Sequence, residues 1–392
     1  MIKQLDDKYV LPTYARQNIN FVEGKNATLK DDKGDEYIDF TSGIAVVSVG
    51  HSNDRLNRAI SDQIAKMIHI SNLYQIEPQA KCAERLVTLS GYDMKCFFGN
   101  SGAEANEGAI KIARKYGEVD GEPKRYKIIT LEHSFHGRTI TTVKATGQES
   151  MHNYFGPFPD GFVYAQNIEQ IESLIDEHTV AVMIELVQGE GGVQPLDRQK
   201  VKVLADMLKK KGVLLIVDEV QTGVYRTGEF LASNLYDIEP DIITLAKGLG
   251  GGVPIGVVMT SKKDVLKAGD HGSTFGGNYL STTAGNTVLD ILSELKDSGE
   301  LDHTFIYFEE QLNKFYETNK RLFLDSVGFG LMRGLRVKDA DTLSLIISSC
   351  SKEGVMVLKA GKNTLRFLPA LTISKKEIDE GFKRLNKAVK DL

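Results

Sequence analysis

The sequence predicts an α/β protein, a large domain on a mostly parallel sheet with a smaller α+β domain after it. Three observations carry that expectation. From about residue 55 to 275, apolar runs of strand length alternate with helical periodicity, the pattern of a parallel sheet covered on both faces. Val213-Leu214-Leu215-Ile216-Val217 is a short, unbroken apolar run with charge directly after it, which reads as a strand buried on both sides. Beyond residue 280, long helical segments surround short strands, a second and smaller arrangement of layers. The boundaries expected are 1–48 for an N-terminal segment joining the small domain, 49–279 for the large domain and 280–392 for the C-terminal small domain.

Composition narrows the class. A chain of 392 residues with 41% hydrophobic content can bury a sizeable core. Its net charge of −5 gives no electrostatic reason to expect nucleic acid or an anionic membrane as partner. Cys82, Cys96 and Cys350 are scattered without a CxxC pair, so neither a disulfide framework nor a zinc site is indicated. The opening MIKQLDDKYV has no apolar signal core, and no later run is long enough to span a bilayer. A cytoplasmic globular protein is expected.

In chain order, residues 1–48 read as an irregular lead-in and a hairpin, with Ala27–Lys30 facing Glu36–Phe40 around an acidic turn. Tyr14 and the stretch Thr41-Ser42-Gly43-Ile44-Ala45-Val46 flank it, and Tyr14 suits packing and substrate contact equally. Helices follow at 55–68 and 78–89, then the strand Cys96–Phe98. Gly99-Asn100-Ser101-Gly102-Ala103-Glu104 opens a helix reaching about Tyr116. Its free N–H groups suit a phosphate, although a plain Ser101 cap satisfies the same pattern. Lys127–Leu131 is the next strand, followed by Glu132-His133-Ser134-Phe135-His136-Gly137-Arg138. Phe135 can stack on a flat ligand or pack in the core, and Arg138 can grip a carboxylate or stay solvated. His133 and His136 have no further ligands at suitable spacing, so no metal is expected.

Ala181–Glu185 reads as a buried strand before Gln188-Gly189-Glu190-Gly191-Gly192, where Glu190 has room to swing. The apolar run Ile255–Met259 precedes Gly272-Ser273-Thr274-Phe275-Gly276, hydroxyls set among glycines. None of these glycine clusters fits a P-loop or a GxGxxG after a first strand, which argues against ATP or nicotinamide. The small domain reads as helices at 281–294, 301–319, 343–353 and 376–389, with a strand pair in 327–337 and strands at Val355–Leu358 and Thr364–Leu368. Arg366, a charge inside the last strand, requires a partner or a ligand.

Two strand ends carry the chemistry. Asp218 follows the 213–217 run, and Lys247 follows Asp241–Ala246 and precedes the open loop Gly248-Leu249-Gly250-Gly251-Gly252. The carboxyl ends of parallel strands are where such sheets bind ligands. An acid and an amine so placed fit pyridoxal phosphate: lysine forms a Schiff base with it, and aspartate keeps the pyridine nitrogen protonated. Taken singly, a solvated lysine and a helix-capping aspartate would explain the same residues.

Together, NSGAEANE, HGR, QGEGG, DEVQTG, TLAKGLGGGVPIG, STFGGN and LRFLP resemble the class III, ornithine-type pyridoxal phosphate aminotransferases, in that family's order and over nearly the whole chain. Within the family, TSGIAV is similar to the N-acetylornithine aminotransferases; ornithine δ-aminotransferases carry tyrosine where Ile44 stands. The resemblance implies the pyridoxal-phosphate-dependent transferase fold type I and a homodimer with shared active sites. It also implies transfer of the δ-amino group of N2-acetylornithine to 2-oxoglutarate, a step of arginine biosynthesis. Ornithine, succinylornithine, 4-aminobutyrate and succinyldiaminopimelate are alternative donors for the same motifs. Outside the enzymes, the alternative is a non-catalytic module that only binds the cofactor.

The implied roles make Lys247 the Schiff-base and proton-shuttling lysine and set Asp218 on the pyridine nitrogen. Gln221 approaches the ring hydroxyl, and Val220 and Phe135 cover the two ring faces. Ser101, Gly102 and Ala103 hold the phosphate, joined by Thr274 of the partner subunit. Arg138 takes the α-carboxylate of the acylated ornithine with help from Tyr14, and Ser273 is a further substrate contact. Arg366 takes a carboxylate of 2-oxoglutarate, and Glu190 neutralises Arg366 while the first substrate is bound. Leu186, Tyr225 and Tyr279 depart from the family's usual residues without removing a chemical group.

Overall fold

Seven strands form the central sheet of the computed structural model, which describes residues 2–392. Their order is Lys95–Gly99, Gly256–Thr260, Ile242–Leu245, Leu214–Asp218, Thr179–Ile184, Lys127–Leu131, Phe162–Ala165. Pairing is parallel across the last five. Gly256–Thr260 alone runs antiparallel to both its neighbours. The connection leading to it contains one short 3-10 turn and no crossover helix, so the chain returns reversed.

Every residue of Thr179–Ile184 and Leu214–Asp218 is buried, which is why these strands lack an alternating pattern. Because they run parallel to Ile242–Leu245, the residues leaving their carboxyl ends emerge at one edge. Those residues are Glu185, Asp218 and Lys247. The helix Gly102–Tyr116 lies against the sheet through Ala105, Ala109, Ile110, Ile112 and Ala113, small enough on one side to bring its N-terminus close. Ser101 caps it by accepting the Glu104 N–H at 3.2 Å.

The N-terminal region is more regular than its sequence implies. Ile2–Tyr9 is a helix with no buried residue, and Phe21–Lys25 adds a strand to the expected hairpin Thr28–Asp31 and Glu36–Asp39. Gly24 permits this, because a Cβ there would sit 2.9 Å from His51 Cβ. Val355–Met356 completes that sheet in parallel with Glu36–Asp39. The single strand expected over 355–358 is therefore divided. Buried Val357 marks the crossing, and Leu358–Ala360 joins the antiparallel sheet of Phe323–Phe329, Met332–Val337 and Thr364–Phe367. Both halves stay apolar and extended, so periodicity cannot reveal the change of sheet.

One core links these parts. The Phe40 ring meets those of Phe308 and Phe367 edge-on at 5.5 and 6.1 Å, and the same cluster continues to Leu249, Ile255 and Leu289. Burying each such ring contributes about 2–3 kcal/mol, so the strand carrying Arg366 is anchored through its neighbour Phe367. No described helix is long and apolar enough to cross a membrane.

Candidate active site

A cavity of about 400 Å³ opens at the carboxyl edge of the sheet. It brings together Ser101, Gly102, Ala103, Phe135, Arg138, Glu190, Asp218, Val220, Gln221 and Lys247 from five segments remote in sequence. Arg366 joins it from the small domain, donating from Nη1 to Glu190 Oε1 at 2.6 Å and to Gln221 Oε1 at 3.4 Å.

Asp218 is buried and fully engaged. Its Oδ2 accepts from Asn106 Nδ2 and from His136 Nδ1, both at 2.8 Å, and its Oδ1 accepts the Val220 N–H at 3.0 Å. A carboxylate so fastened keeps a fixed position for a cation placed over it. His136 is a support for Asp218 rather than a ligand in waiting.

Lys247 begins the 3-10 turn Lys247–Gly250 with φ at +43°, a backbone region that costs a non-glycine residue roughly 1–3 kcal/mol and clusters at functional sites. Burial pulls its amine pKa down, while Asp218 and Glu190 push it back up and Arg366 adds to the lowering. A lysine held toward its neutral form can act as nucleophile and proton acceptor. Glu185 is also buried, with its carboxyl pushed up to about 7, mainly by loss of water.

The slot between Gly102 and Val220 is narrow. A Cβ on Gly102 would lie 2.6 Å from Val220 Cγ1, so only glycine leaves both that approach and the first-turn amides of the helix open. Arg138 is exposed at the mouth, its guanidinium 5.6 Å from the Phe135 ring centre.

Three predicted residues lie elsewhere. Tyr14 is 74% exposed and lines a separate hollow with the N-terminal helix, so within one chain it does not reach Arg138. Its segment packs on its own helix and turn instead. Ser273 and Thr274 line a neighbouring hollow with Asn72 and Leu73, and Asn100 Nδ2 reaches Ser273 Oγ at 3.2 Å. Conversely, Val46, Asn106, His136 and Glu185 line the cavity without having been singled out for it. Glu185 was within reach of the rule that selected Asp218, since it also follows a buried parallel strand.

The sequence matches the family described as aminotransferase class-III over residues 11–389. The chain belongs to the class III aminotransferases. An acetylornithine aminotransferase of Wolinella succinogenes is 60% identical over 393 residues, 100% of both chains. The N-acetylornithine aminotransferase structure from Stenotrophomonas maltophilia K279a superposes with a TM-score of 0.83 at 32% identity, covering 99% of this chain and 98% of that one. An ornithine aminotransferase structure from Toxoplasma gondii, described with partial occupancy of pyridoxal phosphate at its active site, gives a TM-score of 0.91 at 32% identity, covering 99% and 93%.

As a class III aminotransferase this chain is an enzyme of fold type I that works with pyridoxal phosphate. The residues present fit that group. A narrow slot beside Gly102, a capped helix N-terminus, a fastened aspartate and a lysine with lowered pKa all open on one cavity.

Proposed function

We propose that this aminotransferase moves the δ-amino group of N2-acetylornithine to 2-oxoglutarate, giving N-acetylglutamate 5-semialdehyde and glutamate. The 60% identity to the Wolinella protein along both full chains carries this choice of donor. A step in arginine biosynthesis and a cytoplasmic location belong to the same reading. Relatives from Buchnera aphidicola named acetylornithine/succinyldiaminopimelate aminotransferase, 42% and 41% identical, make succinyldiaminopimelate the second donor to test.

Bound pyridoxal phosphate supplies an electron sink for the substrate carbon. Lys247 would hold the cofactor, and its amine would take and return the proton at the substrate carbon. Asp218, braced by His136 and Asn106, would keep the ring nitrogen protonated. Phe135 and Val220, which line the cavity, would hold the ring, and Gln221 would stand by its hydroxyl. The amides of Gly102 and Ala103, with Ser101, take the phosphate, which a helix N-terminus favours.

Substrates are sorted by charge. Arg138 at the mouth takes the α-carboxylate of the acetylated donor. Glu190 meanwhile neutralises Arg366, and it gives way when a carboxylate of 2-oxoglutarate arrives. One cavity thereby serves two unlike substrates in alternation.

A homodimer belongs to the proposal, with Thr274 of the partner subunit at the phosphate and Tyr14 and Ser273 as substrate contacts completed by assembly. Leu73, Tyr74 and Phe275, 88%, 64% and 61% exposed beside the Thr274 hollow, form an apolar surface suited to a second copy. We also read the chain as the N-terminal segment 1–48, large domain 49–279 and small domain 280–392; the pairing of Glu36–Asp39 with Val355–Met356 supports attaching the first to the last. Assaying the purified enzyme with acetylornithine, ornithine, succinylornithine, 4-aminobutyrate and succinyldiaminopimelate against 2-oxoglutarate tests the donor. A higher kcat/KM for any other donor than for acetylornithine would refute it.

A further inference from the structure

Glu185, at the end of the strand Thr179–Ile184, is 6% exposed and accepts backbone hydrogen bonds with both oxygens. Oε2 accepts the Phe135 N–H at 2.9 Å and Oε1 the Gly189 N–H at 3.2 Å. Those amides belong to two loops that contribute Phe135 and Glu190 to the cavity lining. Phe135 presents its ring there, and Gly189 directly precedes Glu190, which holds Arg366.

The backbone around Glu190 is gripped from two sides. Glu185 holds the Gly189 amide from the large sheet, and the Gly361 N–H donates to the Glu190 carbonyl at 2.8 Å from the small-domain hairpin. There is little slack in between. A Cβ on Gly189 would fall 2.3 Å from Gln221 Oε1, and one on Gly191 2.7 Å from the His133 carbonyl oxygen. A small change at the Gly189 anchor must therefore move Glu190.

We propose that Glu185 is a positioning residue: its carboxylate ties the Phe135 loop to the Gly189 amide and so sets where Glu190 stands against Arg366. The inference rests on the functional reading above for its kinetic consequence, and on the hydrogen bonds alone for its structural one.

Glu185→Gln tests both. At about pH 8.5, where Glu185 has lost its proton, the amide keeps the size and one acceptor oxygen but turns an NH2 toward one of the two backbone N–H groups, donor against donor. In the cofactor-free protein, hydrogen–deuterium exchange over 186–193 is expected to quicken about 10-fold or more, while 214–218 keeps its protection. In the loaded enzyme, loosening Glu190 is expected to weaken the apparent affinity for acetylornithine and to spare that for 2-oxoglutarate. The ratio between them should shift about 5-fold or more. A merely structural residue would depress both halves by one factor. Unchanged exchange over 186–193, or equal depression of both halves, overturns the proposal. Should E185Q not fold, Glu185→Asp, which draws the carboxylate back by one methylene, is read by the same two measurements with the same outcomes. If acetylornithine proved not to be a donor, the exchange result, which needs neither cofactor nor substrate, would still decide the role of Glu185.

Discussion

Arg366 Nη1 stands 2.6 Å from Glu190 Oε1, with the arginine side chain 3% exposed and the glutamate 29%. A buried guanidinium is costly unless paired, whereas a partly exposed carboxylate on a glycine-flanked loop can leave. The pair is therefore suited to exchange one carboxylate for another.

Replacing Arg366 by Ala should impair the 2-oxoglutarate half far more than the donor half, by roughly 2–4 kcal/mol of transition-state binding. Single-turnover absorbance changes read the halves separately. Equal slowing of both would refute the division of labour between Arg366 and Arg138.

Borohydride treatment of the purified protein should fix the cofactor's mass to the peptide containing Lys247. The Lys247→Ala protein should show no such adduct. An adduct on any other lysine of the wild type would displace Lys247 from its assignment.

Gly102→Ala should weaken cofactor binding, since the new methyl meets Val220 Cγ1 at 2.6 Å and β-branched valine has no easy alternative rotamer. Overpacking of this kind costs roughly 1–3 kcal/mol. Equilibrium dialysis of pyridoxal phosphate measures it, and an unchanged Kd would show that the slot is wider than the structure makes it.

Glu185 predicts a pH dependence of stability. Its folded pKa, about 7, lies above the ordinary 4.5. Between those values the folded state holds a proton that the unfolded state has lost, so stability falls as pH rises from about 4.5 to 7. The full loss is at most about 3 kcal/mol. Denaturant midpoints across that range should fall for the wild type and flatten for Glu185→Gln. Parallel slopes in the two proteins would show that another group titrates.

Sedimentation should find a dimer at assay concentration. Charged substitutions at Leu73 and Phe275, 88% and 61% exposed, should shift it toward monomer and lower activity together. A fully active monomer would leave Thr274 without the role proposed for it.

What the sequence by itself determined was the class of fold and the placement of an acid and an amine at one edge of its sheet. An apolar run long enough for one strand, followed at once by Asp218 or Lys247, specifies both burial and the edge at which the charge emerges, because periodicity and burial are local properties of the chain. It also showed that Arg366 needed a partner, and the family resemblance named Glu190, 176 residues away. Tertiary structure alone decided the rest. His136 and Asn106 meet Asp218 across 82 and 112 residues, and Glu185 ties loops 50 residues before it and 4 after it. It also divided Val355–Leu358 between two sheets and set Tyr14, Ser273 and Thr274 outside the cavity of a single chain. Such contacts depend on sheet register and on how loops pack against one another, and neither leaves a repeating signal along the chain.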